Sequence, residues 1–122
     1  MAEYRQYIAQ PQNDGAIMIS EDVIAAIVEH SVTEVDGVVG LNMKTGADIA
    51  DMIGKKSWRR GIKIVINEDN AVSIECNIVI AYGQSVVDVA KALQDTIFSA
   101  VTTITNAEIL KINVNVCGIQ RQ

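Results

Sequence analysis

The residue types that perform most catalytic chemistry are few and scattered in this chain of 122 residues. The single histidine, His30, falls on the outer face of a predicted helix, and the two cysteines, Cys76 and Cys117, belong to different predicted strands. A catalytic nucleophile needs a neighbouring base, and a structural zinc site needs four ligands. One histidine and two separated cysteines supply neither arrangement. We therefore expect no catalytic residues, no metal site and no cofactor, and we predict that the protein is not an enzyme.

Paired carboxylates could act as a general acid and base, but the pairs in this chain have structural explanations. Glu21 and Asp22 lie where a helix is predicted to begin, and Glu68 and Asp69 lie in a predicted turn. Neither pair has the apolar surroundings that would keep a carboxyl group protonated at neutral pH.

A short basic segment is the main anomaly of charge. The sequence K-K-S-W-R-R (55–60) holds four of the ten basic residues around the only tryptophan, in a chain of net charge −5. Arginine and aromatic side chains are enriched at contact hot spots, and a basic patch attracts anionic partners. The alternative is a solvated loop whose positive charge balances the acidic residues elsewhere in the chain. An exposed tryptophan would favour the binding role, and a buried tryptophan would favour the solvated loop. The candidate binding residues are Lys55, Lys56, Trp58, Arg59 and Arg60.

The sequence G-V-V-G (37–40) matches the G-x-x-G loop with which KH domains hold a nucleic-acid backbone. Both middle positions are valine, which offers neither charge nor a hydrogen bond. Two interpretations stay open: a nucleic-acid-binding module that combines Gly37–Gly40 with the basic run Lys55–Arg60, or a turn that leads into a strand. The acidic net charge of the chain makes nucleic acid the less expected partner.

Hydrophobic periodicity predicts the elements that position these residues. Ser20 caps a helix that ends near residue 34; two alternating runs (62–66 and 72–82) form a hairpin; Ser85 caps a helix to about Ile104; and a last strand follows from Leu110. A strand–helix–strand unit is a right-handed crossover, which makes its two strands parallel. We predict an α+β two-layer sandwich: a mixed sheet of about four strands with two main helices on one face, in the order β-α-β-β-β-α-β.

Alternation also predicts which side chains point away from the helices. The predicted outer face of the sheet is polar, and its candidate interaction residues are Lys63, Glu75, Asn77, Lys111, Asn113 and Asn115. Cys76 shares the inner face, whereas Cys117 is out of phase with the apolar residues Val114 and Val116 of its own strand. The two sulfurs should therefore lie on opposite sides of the sheet without a disulfide bond.

The expected organisation is one domain, at residues 15–119, with an irregular basic segment at 42–60. The polar residues 1–14, which contain the only proline, are predicted to form a flexible N-terminal tail, and residues 120–122 a C-terminal tail. The absence of a signal-peptide pattern and of a long apolar run predicts a cytoplasmic protein without a membrane span. The uncovered sheet face predicts a homo-oligomer.

Five segments together resemble a known family. They are G-A-I-M-I-S-E-D-V-I (15–24), E-V-D-G-V-V-G-L (34–41), R-G-I-K-I-V-I (60–66), Y-G-Q-S-V-V-D-V (82–89) and I-N-V-N-V-C-G-I (112–119). In order and spacing they are similar to the alkaline-shock, Gls-type envelope stress response proteins of Gram-positive bacteria. The resemblance implies a non-enzymatic cytoplasmic interaction protein of cell-envelope homeostasis. Because some members self-associate and some are held at the membrane by a membrane-anchored partner, the resemblance also implies self-association and docking at the inner face of the membrane. A regulatory role in fatty-acid synthesis is the alternative that the resemblance implies.

Overall fold

The described part of the chain contains seven strands and two long helices. A computed structural model describes residues 6–42 and 58–121. The elements are β1 (Tyr7–Gln12), β2 (Gly15–Ser20), α1 (Glu21–Glu34), β3 (Val38–Leu41), β4 (Trp58–Arg59), β5 (Ile62–Ile66), β6 (Ala71–Ala81), α2 (Val86–Thr105) and β7 (Glu108–Gln120). The predicted α+β class and the order of the elements are confirmed.

Strand β6 is the centre of a five-stranded mixed sheet. It pairs in parallel with β7 along one side. On its other side it pairs antiparallel with β5 over its first half and with β3 over its second half, and β4 extends the sheet beyond β5. The predicted hairpin and the predicted parallel crossover pair are both present.

The inner face of the sheet forms the hydrophobic core with the two helices. Along β6 the side chains alternate between fully buried and half-buried, from Val72 to Ile80. The buried stripe of α2 includes Leu93 and Ile97, and α1 contributes Ile24 and Val28, all four fully buried. Both helices therefore lie against one face, and the opposite face of the sheet carries no helix among the described residues.

Both helices begin where the sequence predicts. The Ser20 hydroxyl accepts a hydrogen bond from the Asp22 backbone N–H at 2.9 Å, and the Ser85 hydroxyl accepts one from Asp88 at 3.4 Å. Helix α2 ends at Asn106, which adopts the left-handed conformation with φ of 59°. These caps fix the ends of α1 and α2 relative to the strands that they follow.

Strands β3 and β5 meet end to end beside the middle of β6. The Asn42 N–H donates to the Asn77 carbonyl, and the Asn77 N–H donates to the Gly61 carbonyl. Gly61 has φ of +84°, and a Cβ atom there would lie 2.8 Å from the Asn42 carbonyl oxygen. Only glycine accommodates both the conformation and the close approach of the two backbones.

The N-terminal segment differs from the prediction. Residues Tyr7–Gln12 form a strand that pairs with β2 in a separate two-stranded sheet, and Ile8 is 2% exposed. The Gln10 side chain donates to the Thr105 carbonyl, and the Asn70 side chain accepts from the Ala9 N–H. Polar side chains and Pro11 suggested a flexible tail, but one buried isoleucine and these hydrogen bonds attach the segment to the domain.

The two cysteines lie as the alternation predicts. Cys76 is fully buried, Cys117 is exposed, and both are free. Burial, with the nearby charge of Glu75 and then Cys117 as smaller causes, raises the pKa of the Cys76 thiol from 9.0 to about 12.

Thiol chemistry can test this arrangement. An alkylating reagent should modify Cys117 in the folded protein and reach Cys76 only on unfolding, as measured by mass spectrometry with and without denaturant. Prompt modification of both thiols in buffer would contradict the burial of Cys76.

Stability at alkaline pH follows from the same burial. Below pH 9 the Cys76 thiol is protonated in both states, but between pH 9 and pH 12 only the unfolded chain ionises there. The free energy of unfolding should therefore fall over this range, and it should fall less in Cys76→Ala. Denaturant titration at several pH values measures this free energy. An equal fall between pH 9 and pH 12 in the wild-type protein and in Cys76→Ala would count against the raised pKa.

The Gly61 junction predicts a costly substitution. Gly61→Ala should lower the free energy of unfolding by about 2 kcal/mol or more, because it adds a clash with backbone to a left-handed conformation. Gly40→Ala is the matched control, since a Cβ atom there meets nothing within 4 Å. Chemical denaturation should separate the two variants, and equal stabilities would refute the steric argument.

Candidate interaction site

The uncovered face of the sheet brings the predicted polar residues together in rows across the strands. Lys63 on β5 is the register partner of Glu75 on β6, which in turn pairs with Asn113 on β7. The neighbouring rows join Ser73 to Lys111 and Asn77 to Asn115. All six predicted sheet-face residues therefore share one surface, which we call the outer face: Lys63, Glu75, Asn77, Lys111, Asn113 and Asn115.

Side-chain hydrogen bonds organise the middle of the outer face. The Asn115 Nδ2 atom donates to Glu75 Oε2 at 2.9 Å and to Asn77 Oδ1 at 2.8 Å. These contacts hold the Glu75 carboxylate between the two strands. Beside it lies a shallow cavity of about 170 Å³, whose lining includes Lys63, Glu75 and Lys111. The outer face thus presents two lysines around one fixed carboxylate.

Trp58 extends the outer face at the edge beyond β5. It is the register partner of Lys63, whose Nζ atom lies 5.8 Å from the centre of the indole ring. The side chain of Trp58 is half-buried. An exposed ring would have favoured binding and a buried ring a solvated loop, so this exposure does not decide between them. A cation over a tryptophan ring is attractive and holds both side chains in place.

The basic segment is only partly described. Lys55, Lys56 and the side chain of Arg59 lie outside the described residues. Arg60 is exposed, and its guanidinium forms an ion pair with Glu29 on α1 at 3.1 Å. One of the five candidate residues thus has an acidic partner within the chain, and Trp58 joins the row of Lys63.

The G-V-V-G sequence forms a turn that leads into a strand. Gly37 has φ of +98°, and a Cβ atom there would lie 2.9 Å from Val89 of α2. Val38–Leu41 then forms β3, which pairs with β6. Gly37 and Gly40 are therefore used in a tight turn and a sheet, and the nucleic-acid interpretation gains no support from this geometry.

His30 and the other residues with metal-binding or catalytic side chains form no site among the described residues. His30 Nε2 lies 3.0 Å from Glu34 Oε2 on the exposed side of α1. Within residues 6–42 and 58–121, no group of three or more His, Cys, Asp or Glu side chains could hold a metal ion. No helix in those ranges is long and apolar enough to cross a membrane.

Comparison with known proteins gives the family. Residues 9–121 match the model of the alkaline-shock protein 23 family, described as having a cell envelope-related function. The chain belongs to this family. The resemblance noted in the sequence is thereby confirmed, and the match covers β2 to β7 and most of β1.

Relatives of this family member share most of its length. The chain is 28% identical to YqhY of Bacillus subtilis (strain 168), covering 87% of this chain and 78% of that one. It is 33% identical to Spy1614 of Streptococcus pyogenes serotype M6, covering 69% and 70%. It is 24% identical to a stress response regulator gls24 homolog of Streptococcus pyogenes serotype M3, covering 87% and 59%. No solved structure matches the chain.

Sequence reasoning missed two features of the site in this family member. The register of β7 against β6 shifts twice, so Leu110 and Cys117 have no partner on β6. Alternation places Leu110 on the inner face, but it is 55% exposed. Cys117 continues the regular alternation of Lys111, Asn113 and Asn115, so the sequence of β7 carried no signal for the second bulge. These bulges bound the part of β7 that carries the outer-face residues.

The Asn115 contacts predict a salt-dependent variant. Asn115→Asp replaces a hydrogen-bond donor by a second carboxylate beside Glu75, so it should lower the free energy of unfolding at low salt by about 1–3 kcal/mol. The loss should diminish at about 1 M salt, which screens the repulsion between the two carboxylates. Denaturant titration at both salt concentrations checks this, and an equal loss at both would attribute the effect to packing.

Proposed function

We propose that this protein is a non-enzymatic interaction protein of cell-envelope homeostasis, in the cytoplasm at the inner face of the membrane. It self-associates and docks to a membrane-anchored protein partner. Its family is described as having a cell envelope-related function, and one relative is named a stress response regulator gls24 homolog.

The outer face supports this proposal better than any other surface of the described chain. It combines an aromatic ring, two lysines and amide side chains on a rigid sheet, with no helix over it among the described residues. Rigid scaffolds that present aromatic and basic groups are suited to binding an acidic protein surface. The docking partner is therefore proposed to present carboxylates to Lys63, Lys111 and the basic segment beside Trp58.

Affinity capture from the native host tests the proposal. The tagged protein should recover an integral membrane protein from the solubilised membrane fraction, as identified by mass spectrometry. Recovery of ribonucleoproteins would favour a nucleic-acid-binding module. Recovery of a metabolic enzyme would favour a regulator of fatty-acid synthesis. Either of these results in place of a membrane protein would overturn the proposal.

Charge reversal should locate the docking surface. Lys63→Glu and the combined reversal of Lys55, Lys56, Arg59 and Arg60 should each reduce recovery of the membrane partner at least tenfold, since like charges then oppose its carboxylates. Circular dichroism should show unchanged folding.

Arg121→Glu provides the matched control for charge. Arg121 lies beyond the end of β7, with its guanidinium 5.5 Å from the ring centre of Tyr82, so its reversal should leave capture intact. Undiminished capture by Lys63→Glu would remove the outer face from the mechanism, and equal losses in Lys63→Glu and Arg121→Glu would indicate a non-specific charge effect.

A further inference from the structure

The free edge of β7 is a long strand edge for so small a domain. β7 has 13 residues and pairs with β6 on one side only, and among the described residues no strand pairs with its other side. The opposite border of the sheet consists of shorter strands: β4 has two residues, and β3, which lies end to end with β5, has four. An unpaired edge presents backbone N–H and C=O groups that another strand can satisfy.

The two bulges leave one regular stretch in the middle of this edge. Lys111–Val116 runs in unbroken register with Ser73–Ile78, between the unpartnered residues Leu110 and Cys117. Bulges end regular pairing, so an added strand would align with these six residues and no others. The sequence of the stretch, K-I-N-V-N-V, alternates apolar residues inside with polar residues outside.

Apolar surface along this edge is incompletely covered. Ile112, Val114 and Val116 are half-buried, whereas their partners on β6 are fully buried. The Gln94 side chain donates to the Ile112 carbonyl at 2.9 Å, which fixes one side of α2 beside β7. Val87 and Phe98 share that side by helical spacing and are 62% and 51% exposed.

We infer that the β7 edge is the surface through which two copies of this chain associate, and this inference rests on the self-association in the proposed function. The two β7 strands pair antiparallel about a two-fold axis at Asn113. Ile112 then opposes Val114 of the second copy, and the two sheets join into one of ten strands with all four helices on the same side.

The hydrogen bonds of Asn115 select this register. Its Nδ2 atom donates to Glu75 and Asn77, which both belong to β6. The Oδ1 atom of the same amide therefore faces the free edge as an acceptor. An axis at Asn113 brings Lys111 of the second copy opposite Asn115, so that its ammonium group donates to this oxygen close to the Glu75 carboxylate. An axis at Val114 would instead place Lys111 opposite the bulged Cys117.

The face of α2 beside β7 is compatible with the same axis. Val87, Lys91, Gln94 and Phe98 form a stripe along this face by helical spacing. The Gln94 side chain reaches Ile112, which is one residue from Asn113. The two-fold axis at Asn113 therefore passes close to the middle of the stripe. The two-fold operation then turns the Phe98 end of one stripe toward the Val87 end of the other. A symmetric dimer needs a self-complementary surface of this kind.

Disulfide trapping tests the register in the intact chain. In a Cys117→Ser background, Asn113→Cys should cross-link to itself under mild oxidation, because directly opposed residues of antiparallel strands lie about 4.5–5.5 Å apart between Cα atoms. Lys111→Cys alone should not cross-link, but mixed with Asn115→Cys it should. Cross-linking of all three single variants alike would indicate random collision and overturn the register.

Solution mass tests the surface itself. Sedimentation equilibrium of the wild-type chain should show a dimer at micromolar concentration, and Asn113→Lys should raise the dimer dissociation constant at least tenfold, because two lysines then meet at the axis. Gln120→Lys is the matched control: it makes the same charge change at an exposed residue of β7 outside the stretch and should remain dimeric. Matching thermal unfolding curves would show that both variants fold.

The oligomeric states of the wild-type chain and of Asn113→Lys distinguish a failure of the β7 edge from a failure of the proposed self-association. A wild-type oligomer that Asn113→Lys does not weaken would overturn the β7 edge while self-association stands. A wild-type chain that stays monomeric up to about 500 micromolar would overturn both the β7-edge dimer and the proposed self-association.

Discussion

The pairing of β6 on both of its sides is the constraint on which the rest of the structure depends. One side of β6 holds β7 in parallel; the other is divided between β5 and β3, which meet at the Asn42–Gly61 contact. Because every second residue of β6 is buried from Val72 to Ile80, the helices can pack on one face only. Among residues 6–42 and 58–121 the polar face is thereby left open, and β7 forms a border of the sheet.

Family membership and geometry explain different parts of this protein. The family description gives an envelope-related role and leaves the molecular contacts open. The structure adds an outer face with the Lys63 ammonium over the Trp58 ring, a carboxylate held by Asn115, and a border strand interrupted by two bulges. Two surfaces at right angles, one a face and one an edge, allow a domain to bind a partner and a second copy at once.

Much of this fold could be predicted from local patterns. Ser20 and Ser85 precede regular helical stripes. Alternation along β5, β6 and β7 predicted that the six outer-face residues share one side of the sheet, and their role in binding stays a prediction. β1 was missed because its contacts with Asn70 and Thr105 are distant in sequence. The bulge at Leu110 depends on the register with β6, which one strand alone does not reveal. Lys55 and Lys56 lie outside the described residues, so the predicted role of the basic segment stays a prediction.

The parallel pairing of β6 with β7 has a consequence for the order of folding during synthesis. The β5–β6 hairpin closes through a four-residue turn in which the Asn67 side chain accepts from two backbone N–H groups, so it can form early. Its second partner, β7, is translated only after the 20 residues of α2. Until β7 leaves the ribosome, β6 has one whole side unpaired, and β6 contains more buried side chains than any other described strand. The nascent chain is then open to mispairing, and this interval is where a chaperone would act on it.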